Sequence, residues 1–287
     1  MKKLLFLQAL ICLVAVACTV QEPYTEVIGS QRDDRIFASL ESYADPDTRV
    51  YVDEKVKLHW DAKDQISYFN ETTLGQQYQF LGNTGDVSGF FDKVEDPFGT
   101  GNPLAFVCGV YPYSTTNKVS NSNLMTIVLP AEQAYREGSF GPGANVMVSC
   151  KKTQEEPMEF KNVGGYLVLK FYGEGAAVSS IKLEGNDGEP LSGKAAWPLA
   201  VGQIPTFKMD SAADNYVTLS CEKAVELKAS KEDATVFWLV VPPTDFEKGF
   251  TLTVTSPDGK TFVKKTDKQL SIVRNTLLRI APIKVEF

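Results

Sequence analysis

The sequence predicts an all-β protein, built as two β-sandwich domains in tandem behind a secretion leader. Three observations carry this. Short apolar or alternating runs recur roughly every ten residues from Ile36 to the C-terminus, the rhythm of strands in sandwiches and barrels. Turn-forming clusters such as Asn186-Asp187-Gly188 and Ser256-Pro257-Asp258-Gly259 separate the runs, because Gly and Asn tolerate positive φ and Pro presets the turn. Beyond the leader, no window of about fifteen residues shows the 3.6-residue period of an amphipathic helix.

The leader comes first. Met1-Lys2-Lys3 precedes an apolar run from Leu4 to Ala17. The run suits a signal peptide of residues 1–17 and is too short to span a bilayer, which takes about 20 apolar residues. Ala15-Val16-Ala17-Cys18 resembles a bacterial lipobox, with Ala15 where Leu is usual. The resemblance implies cleavage before Cys18 and acylation (palmitate and related chains) of its thiol and new amino group. Each buried CH₂ of such chains contributes about 0.8 kcal/mol, so several chains together hold a protein on a membrane. The alternative is an ordinary signal peptide cut near Ala17.

Residues 18–35 are polar and without period, which suits a tether. The first domain is read as residues 36–157. It opens with Ile36–Leu40, then Thr48–Val52, Val56–Trp60 and Gln65–Phe69, the last three joined as hairpins. Gln77–Leu81, Ser88–Phe91, Leu104–Tyr111 and Leu124–Leu129 follow. Lys151–Pro157 is polar, ends in Pro and reads as the linker. The second domain, 158–287, carries strands at Tyr166–Tyr172, Ser179–Glu184, Leu191–Trp197, Tyr216–Ser220, Val236–Val241, Phe250–Ser256, Lys260–Lys265 and Leu278–Phe287. Gly164-Gly165 precedes the densest of them.

Charge and cysteines narrow the function. The formal net charge is −7, and loss of Lys2 and Lys3 makes it more negative. With no Lys/Arg cluster, a phosphate backbone finds no cationic track, so nucleic acid is not a partner. Removing Cys12 and committing Cys18 to lipid leaves Cys108, Cys150 and Cys221, an odd count for an exported chain. Cys108 and Cys150 lie in apolar strand-like runs, where a free Cys behaves as a small hydrophobe. A Cys108–Cys150 disulfide is the alternative.

The residues argue against an enzyme. His59 is the only histidine and falls on the polar phase of its run, so nucleophilic catalysis has no base to work with and zinc lacks its usual ligands. No phosphate-binding or dinucleotide glycine motif is present, and no cofactor is implied. Asp45-Pro46-Asp47 and Glu184-Gly185-Asn186-Asp187 could line a calcium site, but they match no EF-hand pattern and read better as polar turns. Trp60 and Trp238 fall on apolar phases and read as core, while Trp197, at a strand end before Pro198, reads as the exposed tryptophan.

Several blocks in order resemble the fimbrillin-like lipoproteins, subunits of the type V pili of Gram-negative gut and oral anaerobes. They are Thr48-Arg49-Val50-Tyr51 with Leu58–Ile66, then Val110-Tyr111-Pro112-Tyr113, Leu129–Gln133 and Ser139-Phe140-Gly141. Glu159–Leu167, Val241-Pro242-Pro243 with Gly249-Phe250, and Arg274-Asn275-Thr276 complete the set. Val50 departs from the family's polar residue. The resemblance implies two transthyretin-like sandwiches of Greek-key type. It also implies a stalk, anchor or tip subunit of an adhesive fimbrium at the outer membrane. Partners would be other subunits, in a homo- or hetero-polymer, and ligands on host or bacterial surfaces.

In the family, a protease cuts after an Arg near the N-terminus and another subunit's strand fills the opened groove. Here Arg32 and Arg35 are the natural cut sites, with Arg49 a second position beyond the first strand. The donor strand would be the C-terminal run, where Ile283, Val285 and Phe287 alternate with charge. The alternative is that this run closes its own domain, with Pro282 confining it to an edge or bulge. A non-polymerising surface lipoprotein that binds glycan or host protein, and a hydrolase with two facing carboxylates, are the competing functions.

Overall fold

The computed structural model describes residues 35–41, 58–70, 75–94, 104, 106–120 and 122–287. Among them there are strands, turns and bends but no helix. In chain order the strands are β1 (Ile36–Leu40), β2 (Gln65–Phe69), β3 (Gln76–Phe80), β4 (Ser88–Lys93), β5 (Val107–Tyr111), β6 (Lys118–Val119), β7 (Leu124–Leu129) and β8 (Glu132–Arg136). They continue as β9 (Ser139–Phe140), β10 (Met147–Lys151), β11 (Met158–Asn162), β12 (Gly165–Tyr172), β13 (Ala177–Gly185), β14 (Gly193–Pro198), β15 (Lys208–Met209) and β16 (Tyr216–Glu226). The last are β17 (Thr235–Val241), β18 (Thr244–Phe246), β19 (Phe250–Thr255), β20 (Thr261–Lys265), β21 (Leu270–Ile272), β22 (Leu277–Arg279) and β23 (Ile283–Lys284).

Seven strands close into a barrel, in the order β1-β11-β10-β5-β2-β3-β4. Closure removes the free sheet edges. β1 completes the ring, antiparallel to β4 and parallel to β11. An aromatic core fills the interior. Trp60 is fully buried and its ring meets Phe80, Phe91, Tyr111 and Phe160 at centroid distances of 5.1–5.9 Å, three of them edge-on as aromatic quadrupoles prefer.

A second core lies on the outer side of β5 and β10. There Cys108, Val110 and Val148 pack against Met125, Ile127, Ala195 and Trp197 from the sheet β15-β14-β7-β6. The third core is aliphatic. Leu167, Leu169 and Phe171 of β12, with Phe237 and Leu239 of β17, face Ile181, Leu183, Leu219 and Leu252 from the sheet β20-β19-β13-β16-β8-β9.

Two ladders tie the halves of the chain together. β7 pairs with β14 over six register positions, and β8 runs parallel to β16. β11, expected at the head of the second domain, lies in the barrel between β1 and β10. Lys151–Pro157 therefore connects two neighbouring strands of one barrel, and the Lys151 ammonium donates to the carbonyls of Gln154 and Glu156 within it.

The expected hairpin of Val56–Trp60 with Gln65–Phe69 does not form among the described residues. Leu58–Trp60 is not a strand, although its burial still alternates with His59 exposed. The Trp60 backbone instead pairs with the turn at Gly85-Asp86 (N–H to Asp86 O 2.8 Å, O from Gly85 N–H 3.0 Å), and β2 pairs with β3 and β5. Seating the indole inside the barrel fixes that choice. Gly165 opens β12 where a Cβ would lie 2.2 Å from the Val273 carbonyl oxygen, so only glycine allows the two segments to run so close.

Candidate functional site

Strand β1 closes the barrel, held between β4 and β11. Its alternate residues Ile36 and Ala38 point into the barrel core with Leu40 packed beside them, while Phe37 faces outward. This is the period-2 pattern of a strand with one buried face. Arg35, just before it, is exposed, with Nε 3.9 Å from Asp92 Oδ2. Cys18, Arg32 and Arg49 lie outside the described residues, as do the signal peptide, most of the tether and Thr48–Val52.

The exit of β1 is clamped by the far end of the chain. The Arg274 guanidinium donates to Glu41 Oε1 at 2.5 Å and to the Asn162 carbonyl at 3.0 Å. The Glu41 carboxylate also accepts the Asn162 backbone N–H. Both charged side chains are largely buried, at 17% and 11% exposure. The Asn162 side-chain amide donates to Asn275 Oδ1 and accepts from Asn145 Nδ2, both at 2.6 Å. The sequence singled out Arg274-Asn275-Thr276 as part of a family block. It held no signal that Glu41 was its partner.

The C-terminal run is docked on its own body. β22 and β23 both lie parallel to β12, and the break between them falls at Ile280-Ala281-Pro282. Proline cannot donate to the ladder there. Val285 is 1% exposed in the aliphatic core, Ile283 packs against that core, and Phe287 is partly exposed. The run thus closes its own sheet in this structure.

A cavity of about 320 Å³ lies beside the barrel mouth, bordered by Leu40, Asp61, Asp64, Tyr111, Arg136 and Trp238. Arg136 grips Asp61 with two hydrogen bonds, at 2.6 and 3.1 Å. The bond to Asp61 raises the guanidinium's pKa further. Tyr111 donates to Asp64 Oδ1 at 3.1 Å. Burial pushes the Asp64 carboxyl above its usual range and, joined by the charge of Asp64, pushes the Tyr111 phenol up. These groups satisfy one another. His59 is exposed, with Nδ1 2.5 Å from the Gly85 carbonyl, and so cannot serve a buried triad. Among the described residues no three His, Cys, Asp or Glu gather as a metal site.

Trp197 is 5% exposed, against expectation. Its strand pairs with β7, and the indole turns inward against Phe207 at 5.8 Å. Trp60 and Trp238 are buried as well, so no tryptophan offers a sugar platform. The Glu184–Asp187 segment is a closed turn. Asn186 donates to the carbonyls of Lys248 and Thr266 and accepts from the Thr251 hydroxyl.

No family model matches the chain, and no curated protein matches it. Solved structures do. A candidate cell adhesion protein from Bacteroides ovatus is 13% identical, with a TM-score of 0.52, over 89% of this chain and 92% of that one. A candidate cell adhesion protein from Bacteroides uniformis is 14% identical, with a TM-score of 0.45, over 89% and 94%. The tip fimbrial protein Mfa3 from Porphyromonas gingivalis is 11% identical, with a TM-score of 0.26, over 85% and 94%. The last two are too distant to add to the comparison. The chain thus shares its fold with the Bacteroides ovatus cell adhesion candidate, in agreement with its resemblance to the fimbrillin-like lipoproteins.

Proposed function

We propose that this chain is a non-enzymatic structural subunit of a cell-surface fimbrium, joined to its neighbours by strand exchange and used in adhesion. The observation that carries the reading is the position of β1. It lies directly after the exposed Arg35, and its two barrel neighbours each keep another partner, β4 with β3 and β11 with β10. Losing β1 would leave a groove, not a collapsed sheet. A strand entering antiparallel to β4 would run parallel to β11 and would need apolar residues at alternate positions, where Ile36, Ala38 and Leu40 now sit. Ile283, Val285 and Phe287 have that spacing. Backbone bonds to both edges would give strength, and the alternating pockets would fix register. Such a head-to-tail contact does not close on itself and builds filaments.

Acylation at Cys18 and anchoring in the outer membrane belong to this reading, as do cleavage at Arg35 or Arg49 and a pair of transthyretin-like sandwiches. The separate aromatic and aliphatic cores fit two bodies, the first closed into a barrel that takes in β11. A second reading, a lone surface binder, draws on an exposed apolar cluster. Phe37 and Phe90 meet edge-on at 5.2 Å, with the Leu81 N–H bonded to the Phe90 carbonyl, each of the three more than a third exposed. Apolar clusters of this kind mark contact surfaces.

The test is the mature N-terminus of surface material from the native host, read by mass spectrometry beside a denaturation-resistant multimer ladder. An N-terminus after Arg35 or Arg49 with a ladder is the expected result. A single lipidated species beginning at Cys18, with no ladder, would overturn a stalk role and favour an anchor or the lone binder.

A further inference from the structure

We infer that Cys108 and Cys150 form a redox pair that closes into a cross-strand disulfide once the chain meets an external disulfide. β5 and β10 are antiparallel, and these two residues stand directly opposite each other in the register. The sulfurs are 3.2 Å apart, roughly 1.2 Å beyond a disulfide bond. Cross-strand partners have Cα separations of about 4.5–5.5 Å, within the span a disulfide bridges. Closure therefore asks for side-chain movement and leaves the ladder in place.

The two thiols are not equivalent. Cys108 is fully buried in the core between the barrel and the outer sheet. Cys150 is half-buried and opens on a cavity of about 210 Å³ that also receives Lys151, Glu156 and Lys161. The two sulfurs share a hydrogen bond in which either thiol can be the donor. That contact holds the Cys150 thiol below its ordinary pKa, while the contact and burial push Cys108 up. Cys150 is thus the attacking thiol and Cys108 the resolving one. The Cys150 thiolate attacks one sulfur of a small disulfide such as oxidised glutathione. The oxidant's S–S bond breaks, and one glutathione leaves as a thiolate that takes up a proton. Cys108 then gives up its proton and attacks the Cys150 sulfur. The mixed disulfide breaks, and the second glutathione leaves and takes that proton. Two protein thiols are oxidised and one external disulfide is reduced.

The pairing accounts for the odd cysteine count. Cys221 stands on β16, half-buried, its thiol pushed up to about 11 by burial, and it remains the single unpaired thiol among the described residues. The bridge would span 42 positions of chain and join strands near the middle of β11-β10-β5-β2-β3-β4, the sheet that remains when β1 departs.

The test uses the full protein isolated from the cell envelope without reductant and quenched with N-ethylmaleimide. A peptide linking Cys108 to Cys150, with Cys221 alkylated alone, is expected. Reduction should lower Tm by about 10 °C. Alkylation of both Cys108 and Cys150 in the isolated protein, persisting after incubation with oxidised glutathione, would overturn the pair. The order of attack is read from variants. Cys108→Ser should trap glutathione on Cys150, whereas Cys150→Ser should leave Cys108 unmodified. Glutathione on Cys108 in the second variant would overturn the assigned roles.

Discussion

At the scale of single residues, the strongest constraints are polar groups buried with partners. Gln133 is 4% exposed and acts as a one-residue strand. Its amide donates to the Val240 carbonyl at 2.7 Å, and its oxygen accepts the Val240 N–H at 3.0 Å, so the free edge of β17 is satisfied where it is buried. Glu41 and Arg274 are a more exacting case, because each would be a buried charge without the other. Replacing Arg274 with Met should cost about 3 kcal/mol, most of it the penalty of stranding the Glu41 carboxylate. Denaturant unfolding should show this, and hydrogen exchange over 36–40 should quicken as the exit of β1 loosens. Adding Glu41→Gln to the same chain should recover part of the loss, since the stranded charge is gone. Equal stability of the single variant and the wild type would show that the clamp contributes nothing.

At the scale of elements, alternation decided what could be read. β7 and β19 bury every second residue, and both were visible as strands in the sequence. β8 was not, because Glu-Gln-Ala-Tyr-Arg looks polar until Gln133 is seen bonding to a backbone 107 positions away. The C-terminal run was visible as one strand, but Pro282 divides it into β22 and β23. Its partner could not be read either. A parallel ladder with β12 has no local turn to announce it. The structure gives the run a closing role that can be measured apart from any donation to a neighbour. Val285→Asp places an unpaired carboxylate in the aliphatic core and should destabilise the isolated chain by about 3 kcal/mol or more. Phe287→Asp, at a position 36% exposed, should change stability by less than about 0.5 kcal/mol. If urea midpoints of the two variants coincide, the C-terminal run is not sealing its own core.

At the scale of the whole molecule, the all-β class was legible because it follows from local period and turn chemistry. The closed barrel and the exchange of strands between halves were not, since both depend on pairings between residues far apart in the chain. Those pairings make the cores interdependent. A fragment of residues 36–157 keeps β1 and β10 but lacks β11, the strand that joins them. It also bares Met125 and Ile127, which β14 and Trp197 now cover. A fragment of 158–287 loses β8 from beside β16, and with it the Gln133 bonds to β17. The described residues from Arg35 to Phe287 accordingly form one compact unit. Neither fragment should fold alone, and the intact chain should unfold in one cooperative step, with tryptophan fluorescence and circular dichroism giving the same urea midpoint. A dispersed NMR spectrum from either fragment would refute that interdependence. Each core would then be self-sufficient, and the ladders β7–β14 and β8–β16 would be a docking surface between independent domains.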